Sequence, residues 1–153
     1  MVLPQGPEVV VHEDETVSVA RAGTLVHAGV TSCLTITCIL DHEIVGQHIV
    51  QWAGQPPNDT SYLQRLPGLM TTFNQRVQGR AIRKLIIVGP LLYYPENVVA
   101  DIRGRITGAP EAATLDISEH TEQGCDVYVI GYADCVRVVR AGKTVSSKTF
   151  ADL

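Results

Sequence analysis

Apolar and polar residues alternate over the first part of the chain with the period of two that marks a half-buried strand. Val9 and Val11 within residues 8–12, and Val17 and Val19 within residues 16–20, predict two strands divided by the acidic turn Glu13-Asp14-Glu15. Residues 24–28 read as another short extended piece. The run Leu34-Thr35-Ile36-Thr37-Cys38-Ile39-Leu40 is dense in β-branched side chains and predicts a strongly buried strand. Asp41-His42-Glu43 reads as its turn and residues 44–52 as its partner strand. Gly54-Gln55-Pro56-Pro57-Asn58-Asp59 then reads as a loop.

The period changes at residue 61. Leu63, Leu66, Met70, Phe73 and Val77 recur at steps of three and four, which predicts an amphipathic helix over 61–77. Pro67 either kinks that helix or opens a second one. Residues 85–88 predict a buried strand. Pro95 is a place for a helix to begin, and Val98, Val99, Ile102 and Ile106 would give it an apolar face. Residues 113–117, 127–132 and 135–139 predict further strands, and Ala141-Gly142-Lys143 a tight turn. The order is β-rich, helix, strand, helix, β-rich. That predicts an α+β fold with mixed, largely antiparallel β-sheets, sandwich-like, flanked by two main helices.

Composition narrows the class. The 153 residues, 45% hydrophobic and 18% charged, fit one globular domain over 1–153. A net charge of −4 offers no basic surface for phosphates, so nucleic acid is not an expected partner. No apolar run approaches the ~18 residues that span a bilayer, so neither is a membrane. The start Met1-Val2-Leu3-Pro4-Gln5-Gly6 lacks the basic and apolar regions of a secretory signal. The four cysteines are therefore expected as free thiols in a reducing cytoplasm, with export by a route that uses no cleaved signal left open. There is no Cys-x-x-Cys, no His-x-x-x-His and no phosphate loop, so no metal or cofactor is expected.

The chemistry centres on Cys33 and His48, 15 residues apart across the expected hairpin. A thiol becomes a nucleophile as its thiolate, and a nearby imidazole can take the proton. Side chains alternate faces along a strand and opposed residues share a face. If Asp41-His42 is a two-residue loop, opposed positions sum to 83. Cys33 then faces Val50, His48 faces Thr35, and the thiol and imidazole are diagonal neighbours predicted to approach within about 4 Å. A three-residue loop would point His48 away.

Gly29-Val30-Thr31-Ser32-Cys33 resembles the Gly-Leu-Gly-Ser-Cys element of the CheD chemotaxis deamidases, and Gly46-Gln47-His48 their Gly-Gly-x-x-His element. The spacing is also similar to that of the catalytic domain of the cytotoxic necrotising factor toxins, whose nucleophile sits in Leu-Ser-Gly-Cys. Val30-Thr31-Ser32-Cys33 resembles that motif in degenerate form. The downstream order of elements, over about residues 24 to 145, looks like CheD as well. The resemblance implies deamidation of a protein glutamine by a Cys-His dyad, Cys33 as nucleophile and His48 as base, through a thioester. It implies backbone N–H groups near Cys33 for the oxyanion, and His27, Thr31, Ser32 and Thr35 as orienting or oxyanion-region residues. Thr31 stands where CheD has glycine, His27 where it has a catalytic threonine, and Gln123-Gly124 replaces a Gly-Gly-rich segment. These departures tilt the expected role from a chemotaxis enzyme toward a bacterial effector or toxin acting on a host protein.

Other candidates have plainer readings. Cys38 shares its strand face with Leu34, Ile36 and Leu40 and reads as core; Cys125 and Cys135 read as structural. His42 reads as an exposed turn residue, and Asp116, Glu119 and Asp134 as solvated charges. Tyr93 and Tyr94 could line a binding surface or pack in the core. A non-catalytic protein-binding module on the same fold is the rival function. A different thiol hydrolase, such as a protease, is a weaker third.

Overall fold

A computed structural model of the chain describes residues 4–50, 61–120 and 124–153. The strands are β1 Glu8–Val11, β2 Thr16–Ala20, β3 Thr24–Val30, β4 Leu34–Ile39, β5 Glu43–Ile49, β6 Lys84–Gly89, β7 Ala112–Asp116, β8 Cys125–Ile130, β9 Cys135–Arg140 and β10 Lys143–Thr149; the helices are α1 Leu66–Val77 and α2 Val98–Gly104. One sheet runs β1-β3-β8-β9-β10 and the other β2-β5-β4-β6-β7. β1 with β3 and β6 with β7 pair parallel; the other neighbours pair antiparallel. This is the α+β sandwich that the hydrophobic pattern predicts.

The two cores explain the sequence of β4. Leu34, Ile36 and Cys38 face a core completed by Leu66, Met70, Phe73 and Val77 of α1 and by Val98 and Ile102 of α2. Cys33 and Ile39 face the second core, between the sheets, with Leu25, Val127, Val129, Val136 and Val138. A strand covered on both faces loses clean alternation, so 34–40 reads as one apolar run.

Pro67 sits in the first turn of α1, where a missing N–H costs nothing, so it opens the helix instead of kinking it. A separate 3-10 turn, Ser61–Gln64, precedes it. Gln78 ends α1 in the left-handed region (φ 56°), its N–H bonded to the Asn74 carbonyl at 2.9 Å. Residues 51–52 of the expected strand and the expected loop at 54–59 lie outside the described residues, as does Gln123.

Candidate active site

The connection from β3 to β4 carries Cys33. β3 loses its regular register between His27 and Val30. Gly29 turns there with φ +66°, a conformation glycine adopts without strain, and its N–H donates to Asp126 Oδ1 at 2.9 Å. The Tyr94 hydroxyl donates to the Ser32 carbonyl. On the other side, Gly89 lets β6 come close: a Cβ there would lie 3.0 Å from the Cys33 carbonyl oxygen and 2.8 Å from Leu34 Cδ2.

The hairpin register is the one in which opposed positions sum to 83. Leu34 pairs with Ile49, Thr35 with His48 and Ile39 with Ile44, and the Leu40 N–H closes the Asp41-His42 turn on the Glu43 carbonyl at 2.9 Å. Cys33 and His48 therefore share the face that looks between the sheets. Both are buried, at 6% and 1% exposure.

His48 is held by its backbone, which bonds to the β1–β2 turn: its carbonyl accepts the Asp14 N–H at 2.7 Å. Neither ring nitrogen has a hydrogen-bond partner, so no hydrogen bond joins the imidazole to Cys33 in this state. The Val11 backbone faces the ring without reaching hydrogen-bond geometry. Burial lowers the pKa of His48; the Val11 backbone, Glu13 and Asp14 oppose that, and His12 adds to it. The result is a neutral imidazole at pH 7, the form that accepts a proton.

His27 lies beside it, ring centroids 5.9 Å apart and planes tilted by 59°. Its Nε2 meets Thr37 Oγ1 at 3.0 Å, and its buried Nδ1 has no partner. Burial, and then the neighbouring His48, lower its pKa to about 3. Gly46 makes this stacking of sheets possible, since a Cβ there would come within 2.7 Å of Leu25 Cδ1 and 3.3 Å of His27 Cε1. Thr35 sits directly across from His48 but gives its hydroxyl proton to the Val88 carbonyl at 2.9 Å. Thr31 is half-buried, its Cγ2 3.2 Å from where a Gly124 Cβ would be. Among the orienting candidates, His27 alone makes ring contact with His48.

Two residues at this end of the sandwich carry no motif. Asp14, in the left-handed region at φ 54°, accepts the Val50 N–H at 3.0 Å and pairs with Arg65. Arg65 in turn donates to the Val50 carbonyl. The ion pair thus holds both backbone groups of Val50, which follows β5 and shares the inter-sheet core with Cys33. The acidic turn is visible in the sequence; its basic partner, 51 residues away, is not.

The other thiols are differently placed. Cys38 lies in the helix-side core, and burial pushes its pKa up to about 12. Cys125 bonds to the His120 carbonyl at 3.2 Å, and burial raises its pKa. Tyr94 packs in the helix-side core at 4% exposure, whereas Tyr93 is 45% exposed. Among the described residues no group of three or more His, Cys, Asp or Glu side chains is placed to hold a metal ion, and no helix is long and apolar enough to cross a membrane. No family model and no curated protein matches the chain.

Proposed function

We propose that the protein is a Cys-His hydrolase that deamidates glutamine side chains of another protein. The observation that supports this is the β4–β5 register, which turns His48 toward the other sheet, together with the burial of Cys33, the residue before β4, in the same inter-sheet core. Neutral His48 takes the Cys33 proton, and the thiolate attacks the glutamine carboxamide carbon. The tetrahedral oxyanion collapses with loss of ammonia, protonated by His48. Water, deprotonated by the same imidazole, then hydrolyses the thioester to glutamate and restores the thiol. Ring and thiol must close up for this, and catalytic hydrogen bonds often tighten only when substrate binds. Thr31 and His27, at positions where the chemotaxis deamidases carry other residues, favour a bacterial effector that modifies a host protein.

The binding-module alternative draws on one observation, the burial of both residues with no hydrogen bond between them. Conversion of –CONH2 to –COO− adds a negative charge, so lysates of plausible hosts incubated with the protein should yield Gln-to-Glu conversions by peptide mass spectrometry. Cys33→Ser, nearly isosteric but far less nucleophilic, should abolish them. Identical conversion lists for wild type and Cys33→Ser would leave the binding module as the better account.

A further inference from the structure

We infer that Tyr94 is a positioning residue for the nucleophile: it holds the peptide between Ser32 and Cys33 in the orientation that acyl transfer needs. This rests on the assignment of Cys33 as nucleophile. The Tyr94 ring is fixed. It is 4% exposed, meets Tyr62 edge-on at 5.2 Å and 72°, and follows a 3-10 turn in which its N–H bonds to the Leu91 carbonyl at 3.2 Å. Its hydroxyl reaches across to donate to the Ser32 carbonyl. A peptide unit is planar, so holding the Ser32 C=O sets the direction of the Cys33 N–H on the opposite edge of the same plane. A donor on the carbonyl also polarises that N–H, because hydrogen bonds in series strengthen one another. In acyl transfer the N–H of the nucleophilic residue is a recurrent donor to the oxyanion. Fixing this peptide therefore matters for a tetrahedral intermediate and much less for reactions that lack one.

That difference supplies the test. With p-nitrophenyl acetate, the thiolate sulfur bonds to the acetyl carbon, the C=O pair moves onto oxygen, and collapse expels p-nitrophenolate. With iodoacetamide, sulfur displaces iodide at a saturated carbon and no oxyanion forms. The full-length wild type, Tyr94→Phe and Cys33→Ser are compared with both reagents. The expected result is a burst of p-nitrophenolate in wild type that Cys33→Ser lacks. In Tyr94→Phe the burst rate falls roughly 10-fold, less than the ~100-fold loss on deleting an oxyanion donor outright, because Tyr94 acts through the peptide. Alkylation of Cys33 stays within about twofold of wild type, since thiolate formation is untouched. Fully buried Cys38 stays unlabelled, which certifies the fold in the same sample. Equal losses with both reagents, no loss with either, or exposure of Cys38 in Tyr94→Phe would overturn the inference while leaving Cys33 as nucleophile. A wild type with no Cys33-dependent burst would overturn both.

Discussion

The imidazoles of His27 and His48 are neutral groups buried between two sheets, and the consequence is measurable as pH dependence. The unfolded chain binds a proton at His27 below about its ordinary 6.5, whereas the folded chain does not until about 3. The unfolded state therefore holds more protons across that window. For His27 this stability is fully present above 6.5 and falls as pH drops toward 3, by on the order of 1 kcal/mol per pH unit; the lowered pKa of His48 adds to it in the same direction. Urea unfolding between pH 7 and pH 4 should show this slope, and His27→Gln should remove about one proton's share of it. An unchanged slope in the variant would mean that His27 titrates in the folded protein as it does unfolded. Gly46 belongs to the same contact. Gly46→Ala would press a methyl against Leu25 and the His27 ring, and overpacking of this kind costs about 1–3 kcal/mol. A variant as stable as wild type in the same titration would show that the sheets have room to separate there.

Among the elements, the end of β5 is where the site is braced. Asp14 and Arg65 replace the next rung of the ladder by gripping the N–H and C=O of Val50. Both side chains are partly exposed, so solvent screening limits the pair to about 1 kcal/mol. Arg65→Met should raise the amide exchange rate of Val50 by roughly tenfold with a small drop in global stability. Exchange unchanged at Val50 would show the rung to be held by other contacts. Most elements were legible because their patterns are local. The period of two marks β1 and β2, the β-branched run marks β4, and the three-four spacing marks α1. The choice of hairpin register was legible only through chemistry, since it alone brings Cys33 and His48 to one face. β10 was missed because Lys-Thr-Val-Ser-Ser-Lys-Thr has one apolar residue; it is a largely exposed edge strand recruited by β9. α2 begins at Val98 and not at Pro95, after a turn closed by the Val98 N–H on the Pro95 carbonyl at 3.0 Å. The Asp14–Arg65 and Tyr94–Ser32 contacts join residues 51 and 62 positions apart, and no local pattern encodes such a pairing.

At the scale of the whole molecule, the sandwich brings two thiols, Cys33 and Cys125, and two neutral imidazoles into the inter-sheet layer, while Cys38 is turned to the helices. Accessibility by itself ranks the thiols differently: Cys135 is 8% exposed, Cys33 6%, Cys125 1% and Cys38 0%. Simple exposure would therefore let Cys135 react first. The proposed dyad predicts the reverse order, because the thiolate is the species that alkylates and His48 would take the Cys33 proton. The most direct measurement is iodoacetamide labelling of all four cysteines at pH 7, resolved by peptide mass spectrometry, in wild type and in His48→Gln. Cys33 should label roughly tenfold faster than Cys135 in wild type and lose that lead in His48→Gln. Cys135 labelling first in wild type, or a Cys33 lead that survives the loss of His48, would contradict the Cys33–His48 dyad.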